Sequence, residues 1–139
     1  MSWANSLGGS MVERQMKPRV LVVDDDGDIL ETIQEHLVNC GYKVAITTSA
    51  SMALSMLKES DFDVVVTDLV MPGINGIEFS RMVHADYPVV MMSGHPLDEI
   101  GVPNNDVHDA FIDKLRANHD LSRAIDKAIF RWDSCRKAA

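Results

Sequence analysis

Four short apolar runs in this chain each end at residues that can bind a cation or a phosphoryl group. The first run ends at Asp24 and Asp25, and the later three end at Asp68, Ser93 and Lys114. In a parallel α/β sheet, ligands bind in the crevice outside the carboxyl ends of the strands. The sequence therefore predicts one pocket that contains three carboxylates, a hydroxyl and an ammonium. Such a set of groups suits a divalent cation together with a phosphoryl group.

Strand-like and helix-like segments alternate from residue 19 onward. Apolar runs predict strands at about 19–24, 43–47, 63–68, 88–93 and 110–113. Helical spacing predicts helices at about 28–39, 51–59, 76–85 and 121–136. This alternation is typical of a parallel sheet with right-handed crossovers. The predicted fold class is α/β, a flavodoxin-like doubly wound five-stranded parallel sheet in the order 2-1-3-4-5.

The segment between the fourth and fifth strands departs from this regularity. Pro96, Gly101 and Pro103 fall where a fourth crossover helix would lie. Because a proline inside a helix costs about 3 kcal/mol, we expect a shortened or irregular fourth helix. A short helix or turn near 97–100, followed by a loop, is the specific expectation.

Composition limits the domain organisation and the partners of the chain. Its 139 residues suit one domain, predicted at 18–139, and residues 1–17 read as a disordered or expression-derived tail. The net charge of -8 argues against nonspecific binding to nucleic acid or to an anionic membrane. No secretory signal, membrane span or cysteine metal motif is visible, so a cytoplasmic location is expected.

The three carboxylates would be unstable together without a cation. Unit charges about 5 Å apart repel by roughly 3 kcal/mol per pair at an effective dielectric constant of 20. Mg²⁺ prefers oxygen ligands and keeps several waters, so an open cluster of Asp24, Asp25 and Asp68 suits it. A carboxylate can also attack phosphorus to give an aspartyl phosphate. Lys114 would then neutralise one phosphoryl oxygen, and Ser93 would donate a hydrogen bond to another.

Four stretches together resemble the receiver domain of bacterial two-component response regulators. They are residues 20–26, 66–73 and 91–94, and Lys114. The resemblance implies that Asp68 is the phosphoacceptor and that Mg²⁺ is the cofactor. It implies that Asp25 binds Mg²⁺ directly and that Asp24 does so directly or through water. The backbone carbonyl of Val70 would complete the protein's share of the metal ligands.

The same resemblance implies a conformational switch and a set of partners. Ser93 would be the switch hydroxyl, and Phe111 the aromatic side chain that changes rotamer with it. The phosphoryl donor would be a sensor histidine kinase or a phosphotransfer protein. An output domain or a downstream protein would receive the signal, and a homodimer is left open. Such a domain catalyses only its own phosphorylation and dephosphorylation, so it is not a conventional enzyme.

Three positions depart from the family pattern. Leu115 follows the lysine where the family usually has a proline in a cis peptide bond, so we expect a trans bond and a shifted loop. Val70 and His95 each lie two residues past a site residue and are expected to flank the phosphoryl group. An apolar Val70 is expected to slow its hydrolysis.

Two other functions fit parts of the sequence. The first is a degenerate receiver that serves as a constitutive protein-interaction module, an interpretation that Leu115 favours. The second is a phosphohydrolase of the haloacid-dehalogenase type, because residues 22–27 resemble that family's Asp-x-Asp motif. That family, however, has a later acidic pair that is missing here, and it gives Asp68 no role. An EF-hand fits less well, because the glycine of the loop stands at the wrong position.

Overall fold

The computed structural model describes residues 17–69, 71, 76–94, 109–114 and 117–138, with side chains of the last helix described at 120–134. This part of the chain forms five strands and four helices. The strands are β1 (Arg19–Val23), β2 (Lys43–Thr47), β3 (Val64–Asp68), β4 (Val89–Ser93) and β5 (Ala110–Asp113). The helices are α1 (Gly27–Asn39), α2 (Ala50–Glu59), α3 (Gly76–Val83) and α4 (Ala117–Ala138).

All four strand pairs in the sheet are parallel, and the strand order is β2-β1-β3-β4-β5. The predicted fold class and strand order are therefore confirmed. The chain passes outward from β1 to β2 and then returns to place β3 on the other side of β1. This reversal makes the ends of β1 and β3 the switch point of the sheet, where ligands bind in folds of this type.

The central strands are buried on both faces because helices cover both sides of the sheet. Alternate residues of a strand point to opposite faces. Val20, Val64 and Val66 accordingly pack with α1 and α4, whereas Leu21 and Val65 pack with α2 and α3. Every residue of β3 and β4 is buried. The consecutive valines of β3 are thus explained by the two helical layers.

Helix α1 is capped at its start by Asp26. The Asp26 side chain accepts hydrogen bonds from the backbone N–H groups of Asp28, at 3.0 Å, and Ile29, at 3.3 Å. Gly41, with φ of 99°, follows the end of this helix in a left-handed conformation that suits glycine. Leu30, Ile33 and Leu37 form the buried face of this helix, whereas Ile29 is only partly buried.

Several helix ends differ from the predicted ones. Helix α4 begins at Ala117 rather than near residue 121, and α3 ends at Val83 rather than near residue 85. Residues 95–108, where a shortened helix is predicted, lie outside the described residues, as do the tail before residue 17 and Leu115. In the described part of the chain, no helix is both long and apolar enough to cross a membrane.

Candidate functional site

The sheet brings the predicted site residues to one edge because they stand at equivalent points of different strands. Asp24 directly follows β1, Asp68 is the last residue of β3, and Ser93 is the last residue of β4. Lys114 directly follows β5. The strands are parallel and in register, so their carboxyl ends meet at the same edge. Residues that are up to 90 positions apart in the sequence thereby become neighbours.

Three carboxylates form a compact group at this edge. Asp24, Asp25 and Asp68 each place one carboxylate oxygen so that all three oxygens lie within 4.8 Å of one another. Asp24 is completely buried and Asp68 is 5% exposed, whereas Asp25 is exposed. The cluster therefore has a buried floor and one side that is open to solvent. A small cation can approach from that side.

Lys114 connects two members of the cluster. Its Nζ lies 2.7 Å from Asp24 Oδ2 and 3.0 Å from Asp68 Oδ2. Burial lowers the pKa of the Lys114 ammonium, but its contacts with the two carboxylates raise that pKa by more, so the net shift is upward. The ammonium is consequently held in its charged form, between the two groups whose repulsion it offsets.

Burial dominates the electrostatics of Asp24. It raises the pKa of this carboxyl group, and the nearby charge of Asp68 raises the pKa further. The Lys114 ammonium and the backbone N–H of Asp26, which donates to Asp24 Oδ1 at 3.0 Å, act in the opposite direction. The pKa of Asp24 remains above its ordinary value. A further positive charge beside this side chain would favour its ionised form.

One oxygen of Asp24 shows that the cluster suits a metal ion. Asp24 Oδ2 is buried and, within the described residues, accepts no hydrogen bond of regular geometry. Its contact with the Lys114 ammonium, 2.7 Å away, is an ion pair. Buried polar atoms normally have a hydrogen-bond partner. Together with two further carboxylates, this oxygen provides the hard ligands that Mg²⁺ prefers.

Ser93 and Phe111 lie on the side of the cluster formed by β4 and β5. Ser93 is buried and stands beside Asp113 in the register of these strands. Phe111 is half-buried and packs in a small apolar group with Leu69 and Met91. The two predicted switch residues therefore stand on neighbouring strands, with Ser93 at the end of β4 and Phe111 two residues before the end of β5. Val70, whose carbonyl is a predicted metal ligand, lies outside the described residues.

Gly76 is part of the site although sequence reasoning did not select it. Its N–H donates to the carbonyl of Leu69 at 2.9 Å, and its Cα faces the backbone of Asp68 and Leu69. An added Cβ would lie only 2.7 Å from Leu69 Cα and would overlap the carbonyl oxygen of Asp68. The one available sequence signal was a glycine at the start of a predicted helix, which does not reveal a close approach.

The arrangement matches a known protein family over most of its length. The model of the family described as "Response regulator receiver domain" matches residues 20–126. The chain belongs to this family. The receiver domain predicted from the sequence motifs is thereby confirmed, and the match covers β2 to β5 completely and β1 from Val20 onward.

Comparisons with individual proteins agree with this family. The receiver domain is 41% identical to the two-component response regulator ARR10 of Arabidopsis thaliana over 81 residues, which is 55% of this chain. Those residues are 15% of ARR10, so the receiver domain matches only a small part of that relative's length.

Two solved structures share the fold of this receiver domain. A response regulator receiver domain protein from Clostridium thermocellum has a TM-score of 0.74 and 29% identity, covering 85% of this chain and 98% of that one. The response regulator protein TrrA from Thermotoga maritima, solved in complex with Mg²⁺ and BeF, has a TM-score of 0.71 and 26% identity. That comparison covers 81% of this chain and 99% of TrrA.

Proposed function

We propose that this receiver domain accepts a phosphoryl group on Asp68 in a reaction that depends on Mg²⁺. The observation that carries the proposal is the position of Lys114 Nζ, between the carboxylates of Asp24 and Asp68. A fixed ammonium beside a nucleophilic carboxylate can bind an oxygen of the incoming phosphoryl group. The grouped carboxylates of Asp24, Asp25 and Asp68 supply oxygen ligands for the cation.

Each residue has a specific task in the proposed reaction. A carboxylate oxygen of Asp68 attacks phosphorus as the bond to the donor breaks, which gives an aspartyl phosphate. Lys114 neutralises negative charge on the transferred group, and Ser93 donates a hydrogen bond to another phosphoryl oxygen. Bound Mg²⁺ would stabilise negative charge on the phosphoryl oxygens and would be held by Asp24, Asp25 and Asp68, with the carbonyl of Val70 as a further ligand.

The proposed donor is a phosphohistidine on a sensor histidine kinase or a phosphotransfer protein. The proposed consequence is a change at Ser93 and Phe111, because the phosphoryl group adds about -1.5 to -2 charge beside these side chains. An output domain or a downstream protein would respond to that change. The relative ARR10 supports this part of the proposal, since most of its length lies outside the region that matches.

The decisive experiment measures phosphoryl incorporation by mass spectrometry. We expect acetyl phosphate with Mg²⁺ to add one phosphoryl group to the protein, and Asp68→Asn to abolish the addition. Asp61→Asn is the matched control, because Asp61 is exposed and stands before β3 rather than after it. Unchanged incorporation in Asp68→Asn would refute the assignment of the phosphoacceptor.

A titration with beryllofluoride separates a working receiver from a constitutive interaction module. We expect Mg²⁺ alone to shift signals near Asp68, and beryllofluoride to cause a further change at Ser93 and Phe111 only when Mg²⁺ is present. A protein that shows no metal-dependent change would instead be the degenerate receiver. Membership in the receiver family gives no support to the dehalogenase-type alternative.

A further inference from the structure

A cavity lies at the edge of the sheet where the strands begin, opposite the edge that carries Asp68. It has a volume of about 280 Å³ and is bounded by the start of β3, the turn before β4 and the later part of α4. Pockets for drug-sized ligands usually have volumes of about 300 to 1,000 Å³. The cavity is therefore large enough for one long side chain but small for a larger ligand.

The lining of the cavity combines aromatic rings with carboxylates. Its walls include the rings of Phe62, Tyr87 and Trp132. The acidic residues Asp63, Asp86 and Asp133 stand at its exposed rim. Among the described residues that line it, none is basic. Aromatic faces attract cations, and carboxylates form charge-assisted hydrogen bonds with guanidinium groups. The chemistry of the cavity therefore favours an organic cation.

The aromatic walls are held in place by contacts elsewhere in the domain. The Tyr87 hydroxyl donates to the carbonyl of Leu57 at 3.3 Å. The Trp132 ring packs edge-on against His84, with ring centroids 5.4 Å apart, and His84 Nε2 lies 2.9 Å from Asp109 Oδ2. An occupant would consequently meet walls that are already ordered. Such preorganisation reduces the entropic cost of binding.

A guanidinium of this chain already contacts part of the lining. Arg19 Cζ lies 5.1 Å from the centroid of the Phe62 ring, and the backbone N–H of Arg19 donates to Asp63 Oδ2 at 2.9 Å. The guanidinium of Arg19 thus lies over one ring of the lining, whereas the bond to Asp63 comes from the backbone of the same residue. The contact with Phe62 shows that this ring can accept a planar cation on its face.

We propose that this cavity binds an arginine side chain of a partner polypeptide. Arginine fits better than lysine because its planar guanidinium stacks on rings and makes paired hydrogen bonds to carboxylates. The net charge of -8 also attracts a basic partner. The described residues of the lining include none of those at the Asp68 edge, so this docking point is separate from the proposed phosphoryl chemistry.

Binding can be tested by NMR with a simple probe. In a Trp3→Phe variant, Trp132 is the one tryptophan left in the chain, so its indole signal reports on the cavity. We expect N-acetyl-arginine amide to shift this signal in a saturable manner. N-acetyl-citrulline amide, which has a similar shape but no charge, should bind at least fivefold more weakly. The absence of a saturable shift, or equal binding of the two probes, would overturn the proposal.

Matched variants test whether the rim acids carry the selectivity. We expect Asp86→Asn with Asp133→Asn to weaken binding of the arginine probe at least fivefold. Glu31→Gln with Glu35→Gln removes the same charge from exposed positions of α1 and should leave binding nearly unchanged. Equal weakening in the two double variants would overturn the site. The four positions changed in these two double variants are all exposed. Well-dispersed amide signals in their NMR spectra would verify that both variants fold.

A third probe distinguishes a polypeptide from a small metabolite. An arginine-containing peptide with basic neighbours should bind more tightly than N-acetyl-arginine amide, because the rim carries several exposed carboxylates. Spermidine should bind more weakly than this peptide, since it has no planar group to stack on the rings. Tighter binding of spermidine would overturn the assignment of the occupant to a polypeptide.

Discussion

The Cα of Gly76 packs directly against the carbonyl of Asp68, which leaves no room for a side chain at position 76. We predict that Gly76→Ala displaces the backbone after β3 and destabilises the fold by about 1–3 kcal/mol, the usual cost of overpacking. Phosphoryl incorporation at Asp68 should fall as well, because the displaced backbone carries this side chain. Chemical denaturation and mass spectrometry would measure the two effects.

Gly27 provides the control for this substitution. A Cβ added at Gly27, at the start of α1, would meet nothing within 4 Å. Gly27→Ala should therefore leave stability unchanged or raise it by about 0.4–1 kcal/mol. Equal destabilisation by the two substitutions would show that the close approach of Gly76 to Asp68 is not the cause.

Replacement of Lys114 should change metal binding and phosphoryl transfer in opposite directions. Lys114→Gln removes the ammonium that contacts Asp24 and Asp68, so the cluster becomes more negative and should bind Mg²⁺ about threefold to tenfold more tightly. Incorporation from acetyl phosphate should nevertheless fall at least about tenfold, because a charge-assisted contact to the transferred group is lost.

Calorimetric titration with Mg²⁺ and mass spectrometry would measure these effects of Lys114→Gln. Lys58→Gln, at an exposed position of α2, removes the same charge and should change neither quantity. If the Lys114 variant bound Mg²⁺ more weakly, the electrostatic role assigned to the ammonium would be wrong.

Tyr42 should make the stability of the domain depend on pH in the alkaline range. Burial raises the pKa of its hydroxyl well above the ordinary value of 10.0, and Asp126, which accepts its hydrogen bond at 3.0 Å, raises that pKa further. A raised folded-state pKa favours the protonated form in the folded protein. Its contribution to stability is therefore complete below about pH 10 and is lost as pH rises toward the folded pKa.

Two variants isolate this titration. Tyr87→Phe leaves Tyr42 as the one tyrosine of the chain, and its ultraviolet absorbance should show ionisation well above pH 10. Tyr42→Phe should lose about 1 kcal/mol of stability at neutral pH and should show less decline between pH 10 and 11 than the parent protein. Ionisation of Tyr42 at its ordinary pKa would contradict the burial and the hydrogen bond.

His84 and Asp109 should stabilise the start of β4 and β5 cooperatively. Asp109 is 6% exposed, and its Oδ2 lies 2.9 Å from both His84 Nε2 and the backbone nitrogen of Val89. We predict that Asp109→Ala costs about 1–3 kcal/mol, because it leaves the buried N–H of Val89 without this acceptor. Denaturant unfolding would measure the loss.

A double-mutant cycle tests the pairing itself. His84→Ala and Asp109→Ala should cost less together than the sum of the single costs, with a coupling energy of about 0.5 kcal/mol or more. Thr32→Ala, at an exposed position of α1, serves as the control. Its effect on the free energy of unfolding should add to that of Asp109→Ala without any coupling. Independent effects of the two members of the pair would mean that their contact contributes no energy of its own.

The strands and helices of the sheet could be predicted well, because each is marked by a pattern within a short stretch of sequence: an apolar run for a strand, and apolar residues at helical spacing for a helix. It also predicted that Asp24, Asp25, Asp68 and Lys114 converge, since topology places the carboxyl ends of parallel strands together. The resulting distances agree with that prediction. The roles assigned to these side chains remain proposals.

Features that depend on three-dimensional contact were not predictable in the same way. The first turn of α4 contains Ala117, Asn118 and His119, which show no apolar period, so its start was placed too late. The pairing of His84 with Asp109 joins residues 25 positions apart without any motif. The crowding at Gly76 likewise depends on where the backbone after β3 passes, which composition does not specify.

The proposed phosphoryl site is assembled from four strand ends that are separated by long stretches of chain. No short peptide cut from this protein can therefore reproduce its chemistry, because each fragment would carry one or two of the required groups at most. Labelling by a small phosphodonor would then serve as a sensitive assay for the intact tertiary structure, reporting whether all of those distant segments have docked.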